Sequence, residues 1–151
     1  MTATQGFEAI RAFDEHEHRE LRWGLGQLHE AADLVGAGSH VQARLRVQEV
    51  VAWLARALEP HIAWEEGWLY PQIERITGTS WAIQIVRFDH GQIAALITQL
   101  RSDATTTSHS LTPATTTQLR KDLLRLEALL RAHIDREEQL VLPLLESEGT
   151  S

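Results

Sequence analysis

Apolar residues recur along most of the chain at steps of three and four, the spacing that places them on one face of an α-helix. Over about 7–35, Ile10, Leu21, Leu25 and Leu28 share a face while charged residues fill the opposite side. A second stripe over about 40–76 runs Val47, Val50, Leu54, Leu58, His61, Glu65, Trp68. A third, over about 80–103, holds Ile83, Val86, His90, Ile93, Ile97 and Leu100. The last and cleanest, over about 113–147, holds Leu119, Leu123, Leu126, Leu130, His133, Glu137, Leu140 and Leu144.

The breaks between stripes carry turn chemistry. Gly36-Ala37-Gly38 ends the first helix, and Ser39 with Gln42 predicts a capping box for the second. Gly78, between Thr77 and Ser80, marks the next turn, with a serine hydroxyl placed to cap. Residues 104–113, rich in Thr and Ser, predict the longest loop, with His109 solvated in it, and Pro113 suits the first turn of the last helix. Pro60 predicts a kink in the second helix. Four amphipathic helices with short connections and no strand signal predict an all-α fold, an antiparallel up-down-up-down four-helix bundle forming a single domain over 1–151.

Each stripe is interrupted by residues that apolar packing does not call for. His61-Ile62-Ala63-Trp64-Glu65-Glu66-Gly67-Trp68-Leu69-Tyr70-Pro71 reappears as His133-Ile134-Asp135-Arg136-Glu137-Glu138-Gln139-Leu140-Val141-Leu142-Pro143, an offset of 72 residues that also carries His18 onto His90. Counted from the ends of an antiparallel bundle, all four histidines sit roughly 15 to 22 Å from one end. Each Glu follows its His by one turn on the same face. Helix axes 8–10 Å apart, a general spacing, leave room for two metal ions between four imidazoles and two carboxylates. Burying these groups uncompensated would cost several kcal/mol each, and metal binding removes that cost.

Composition narrows the chemistry. The chain of 151 residues has no Cys, which excludes disulfides, zinc ribbons, iron–sulfur clusters and thiol catalysis. A net charge of -7 with only 14 Lys and Arg argues against a nucleic-acid partner. The first residues lack the features of a secretory signal, and no run approaches the roughly 20 apolar residues of a membrane span. A cytoplasmic protein without a membrane partner is expected. Imidazole and carboxylate donors without thiolate suit iron or manganese, and less specifically zinc. Two ferrous ions against two glutamates leave positive charge that an oxo or hydroxo bridge would bring closer to neutral.

The order H…H-x-x-x-E…H…H-x-x-x-E, with residues 61–71 reading H-x-x-x-E-E-x-x-L-Y-P, resembles the haemerythrin-like family, the HHE cation-binding domain, over about 13–145. The resemblance implies a non-haem di-iron centre in a four-helix bundle, with ligands His18, His61, Glu65, His90, His133 and Glu137 and with Glu65 and Glu137 bridging. The oxygen carriers of that family place a second His four residues from the first on the third helix, and usually an Asp as the second bridge one place later. Here Val86 and Ala94 flank His90 and cannot ligate. The departure implies an iron lacking one protein ligand, and a centre that reacts with or senses oxygen, peroxide or nitric oxide in place of carrying oxygen reversibly. An enzyme of this kind would decompose peroxide or act as another di-iron oxidoreductase; the alternative is an iron-binding or iron-sensing module without turnover.

Other residues near the motif have more than one reading. Glu66 and Glu138, about 100° round the helix from the bridges, suit alternate or outer ligands, or a solvated face. His16 is rotated about 200° from His18 and points outward. Trp64 and Trp68 could wall a gas pocket, carry electrons or simply fill the core, and Tyr70 could supply a hydrogen bond near the site.

Overall fold

The computed structural model describes residues 3–109 and 111–146. Four helices account for them: α1 (Ala3–Gly36), α2 (residues 40–77), α3 (Trp81–His109) and α4 (residues 113–145), with no strand among the described residues. α1 meets α4 head to tail, since His18 lies beside Glu137, His29 beside Glu127, and Gly36 beside Arg120. α3 opposes α4 in the same way, through His90 with His133 and Asp89 with Arg136. α2 reaches α1 through Trp53 against Gly24, and α3 through Glu59 and Glu74, which receive Arg101 and Arg87. The arrangement is an antiparallel four-helix bundle. Among the described residues no helix is long and apolar enough to cross a membrane.

The predicted loop over 104–113 is mostly helix. α3 continues to His109 because its hydroxyls bond back into the turn before them: Thr105 to the Arg101 carbonyl at 3.0 Å, Thr106 to Ser102 at 3.1 Å and Thr107 to Asp103 at 2.9 Å. The link to α4 shrinks to residues 110–112, of which Ser110 lies outside the described residues. A reciprocal capping box opens α4, Thr112 accepting from the Thr115 amide at 3.2 Å and donating its own amide to the Thr115 hydroxyl at 2.9 Å. The box predicted at Ser39 does not form; its side chain makes no cap bond and only its carbonyl receives Ala43. α1 already runs at Ala3, ahead of the predicted start, since a single glycine such as Gly6 costs roughly 1 kcal/mol in a helix and does not stop one. The predicted end of the last helix at 147 lies outside the described residues. Gly38 and Gly78 take φ of 75° and 67°, the left-handed conformation that lets each helix end sharply.

Three π-helical turns interrupt the helices: Leu54–Leu58 and Glu65–Leu69 in α2, and Glu137–Val141 in α4. Each closes with an amide bonded five residues back, Glu59 to Leu54, Tyr70 to Glu65 and Leu142 to Glu137. The next residue is proline in every case, Pro60, Pro71 and Pro143. Proline has no amide to donate, and its ring crowds the carbonyl four residues back, so a wider turn relieves the clash.

The extra residue in the two turns that begin at Glu65 and Glu137 moves the inward stripe by one, whereas beyond Leu54–Leu58 the stripe runs on as expected through His61 and Glu65. Trp68, Leu140 and Leu144, expected inward, are displaced: Trp68 is 41 % and Leu140 45 % exposed, and Leu144 is only partly buried. Leu69, Val141 and Leu145 take their places at 1 % or less. The core therefore falls into two apolar clusters. A large one around Leu25, Leu54, Leu100 and Leu126 fills most of the bundle, and a smaller one around Leu69, Ile73, Val86 and Val141 closes the other end. The polar residues of the stripes form a layer between them.

Candidate metal centre

Both copies of the repeated segment turn inward at the same depth, so two local patterns become one site. His18 from α1, His61 and Glu65 from α2, His90 from α3, and His133 and Glu137 from α4 are all at most 5 % exposed. Their donor atoms form two overlapping groups, each with its atoms within 4.8 Å of one another: Asp14, His18, His61, Glu65 and Glu137; and Glu65, His90, His133 and Glu137. Glu65 and Glu137 belong to both groups. Glu65 Oε1 lies 3.2 Å from His61 Nε2 and 3.2 Å from His90 Nε2. Glu137 lies 3.0 Å from His18 Nε2 through Oε2 and 3.6 Å from His133 Nε2 through Oε1. Each carboxylate thus spans the two pairs of imidazoles.

The second glutamate of each E-E pair holds a histidine of a neighbouring helix from behind. His18 Nδ1 donates to Glu138 at 3.1 Å, and His90 Nδ1 donates to Glu66 at 2.6 Å. Arg22 anchors Glu138 at 2.8 Å, and Arg87 anchors Glu66 at 3.1 Å. His133 Nδ1 donates to Asp89 at 3.2 Å, which Arg136 grips with two bonds of 2.9 and 2.7 Å. The bonds to Glu66 and Asp89 fix the tautomers of His90 and His133, leaving their Nε2 lone pairs aimed at the centre, while His18 donates from both ring nitrogens, to Glu138 and to Glu137. His16, by contrast, is exposed.

That geometry suits a cation and little else. His90 Nε2 and His133 Nε2 face each other at 3.1 Å, two lone pairs that repel unless a proton or a positive ion lies between them. Both nitrogens of His61 and both oxygens of Asp14 are buried without a hydrogen-bond partner. Each such atom costs about 1–3 kcal/mol, and more when charged. Metal coordination would supply the missing partners, and six imidazole and carboxylate donors with no thiolate suit iron or manganese.

Without a cation, the charges resolve unevenly. Burial, with Glu137 next, pushes the Glu65 carboxyl well above the usual range, and burial with the Glu137 charge raises Asp14 to about 7. Burial also raises Glu137, but hydrogen bonds from Glu65 and His18 outweigh it and hold this carboxylate ionised. Burial disfavours charge on His18 too, yet Glu137 and Asp14 lift it to about 9, while burial lowers His61 to about 4. Glu137 keeps its charge, while Glu65, Asp14 and His18 hold protons more tightly than usual and His61 holds one less tightly.

Tyr70 closes the layer from the smaller cluster. Fully buried, its hydroxyl donates to Glu137 Oε1, lies 3.2 Å from His90 Nε2, and its ring stacks on His90 at 5.3 Å. Trp64 stands 6.0 Å from the His61 ring and stacks on Trp68 at 5.7 Å, a pair running from the site's edge to the surface. The sequence reading passed over Asp14 and Asp89. Asp14 had a local signal, lying one turn before His18 on the same face; Asp89 had none, because it meets His133 across two helices.

A search of curated proteins found no match, and neither did a search of solved structures. A family model, the Hemerythrin HHE cation binding domain, matches residues 9–145, nearly the whole chain and all the residues of the polar layer. With the fold and the donor cluster agreeing with that match, the chain belongs to the haemerythrin HHE cation-binding domain family.

Proposed function

We propose that this chain is a non-haem di-iron protein whose centre meets oxygen, peroxide or nitric oxide and consumes or senses it, without releasing oxygen reversibly. His18, His61, His90 and His133 would hold the two irons, with Glu65 and Glu137 between them. Iron bound there would supply redox change and Lewis acidity toward a small oxidant. The remaining roles fall to the chain's own groups. Glu66, Glu138 and Asp89 orient three imidazoles through Nδ1. Leu69, Ile83, Val86 and Val141 keep bulk water from the layer.

The observation that carries the reading is the Tyr70 hydroxyl beside His90. α3 offers a single donor there, since Val86 is packed in the apolar cluster and Ala94 is exposed. Tyr70 Oη instead brings a proton, held against Glu137 Oε1 and 3.2 Å from His90 Nε2. Burial, with the charges of Glu137 and Glu65, keeps that proton on the phenol far above its ordinary range. A buried O–H that keeps its proton can donate a hydrogen bond to an oxygen species held beside His90, which favours activation over storage.

The test is direct. Anaerobic ferrous protein is mixed with oxygen and returned to vacuum while its spectrum is followed, and oxygen evolved from peroxide is measured separately. The ferrous spectrum is expected not to return, and peroxide loss is expected to exceed that of free iron. Full spectral recovery without peroxide turnover would restore a carrier role.

A further inference from the structure

The 72-residue pseudo-symmetry that builds the layer breaks at a buried carboxylate. Asp14 corresponds to Val86, each one turn before the histidine of its helix, His18 or His90. Val86 packs among apolar side chains, as its type requires. Asp14 is 0 % exposed, and neither of its oxygens has a hydrogen-bond partner. Oδ2 lies 3.4 Å from His18 Nε2, and Oδ1 lies 3.9 Å from His61 Nε2.

Two ordinary roles for a buried aspartate do not fit. A capping or packing aspartate takes backbone or side-chain donors, and Asp14 takes none. An aspartate that orients a histidine meets Nδ1, as Asp89 does at His133. Asp14 instead faces the Nε2 atoms, the same atoms that face Glu65 and Glu137. It stands where a ligand stands.

We infer that Asp14 is a terminal metal ligand on the α1–α2 side, which makes the two metal positions chemically unequal. This rests on the two-iron reading above. One position then has Asp14, His18 and His61 as terminal donors; the other has only His90 and His133, next to Tyr70, and keeps the open place for an exogenous ligand. The third carboxylate also adds negative charge, which favours the higher oxidation state of its ion.

The full chain is loaded anaerobically with Mössbauer-active ferrous iron, oxidised, and compared with Asp14→Asn and Asp14→Val, the second copying the residue at position 86. Wild type is expected to bind two irons with two distinct quadrupole doublets of equal area. Both variants keep one doublet and lose or shift the other. Affinity at the affected position falls by more than the ~10–100-fold that changes in outer partners cost. Metal-free Asp14→Val is expected to melt above metal-free wild type, having lost an unpartnered buried carboxyl, and to gain less from iron. Two irons with both doublets unchanged in both variants would overturn the assignment of Asp14 and leave the two-iron reading standing. Wild type binding fewer than two irons would overturn both.

Discussion

Asp122, on α4 away from the metal layer, illustrates how a single carboxyl can set the acid behaviour of the fold. It is 1 % exposed, accepts from Gln118 at 2.9 Å, and lies near the Asp103 carboxyl of α3. Burial first, then Asp103, raises it from 3.8 to about 6. The folded chain therefore holds this proton at pH values where the unfolded chain has released it. The associated stability is complete below pH 3.8 and is lost as pH rises through about 6. Asp122→Asn, whose amide can donate to Asp103, should stabilise the metal-free protein at pH 8 by about 1–2 kcal/mol and change little at pH 4. Urea melts at the two pH values measure this, and an equal gap at both would sink the explanation. At this scale the sequence was legible where chemistry follows a local spacing. H-x-x-x-E placed His61 with Glu65 and His133 with Glu137, and the offset of 72 residues paired His18 with His90. Asp14 escaped because its spacing runs the other way, acid first. Asp103 and Asp122 meet only through packing, which no local pattern records.

Among the helices, one close approach fixes how α1 and α2 sit together. A Cβ on Gly24 would fall 1.9 Å from the ring of Trp53, whose side chain is 2 % exposed. Only glycine lets that indole approach α1 so closely. Gly24→Ala should cost about 1–3 kcal/mol through overpacking, despite the better helix propensity of alanine. The melting temperature should fall by roughly 2–4 °C per kcal/mol, equally with and without metal, because Trp53 belongs to the large apolar cluster and not to the donor layer. A rise would mean that Trp53 has a second comfortable position. The apolar stripes made the four helices readable, yet they did not give the register of the turns that lead into Pro71 and Pro143. Pro60 predicts a kink, whereas the chain meets Pro60, Pro71 and Pro143 alike with a wider turn and keeps the helix going. The Thr-rich end of α3 departs from expectation for a related reason: its composition predicts a loop, but its hydroxyls find acceptors within the helix.

Over the whole molecule, a layer of buried, partly unpartnered donors separates two apolar clusters. Such a layer weakens the bundle when empty of positive charge and ties its four helices together when a cation is present. Binding available only to the folded chain adds RT ln(1 + [L]/Kd), about 2.7 kcal/mol at a hundredfold excess over Kd. Iron should raise the melting temperature and chelation should lower it; identical curves would show that the donors do not hold metal. The paired π-turns carry a last consequence. Each is a phase slip in its helix, and the two begin at equivalent residues, Glu65 and Glu137. The segments beyond them, Tyr70–Thr77 and Leu142–Leu145, pack on each other in the smaller cluster. The slips therefore compensate: both faces have advanced by one residue, and they meet because they advanced together. Losing one slip would leave the opposing faces out of phase, while losing both would let them turn as a pair. The proline that ends one copy of the repeat is thus answerable to the proline that ends the other.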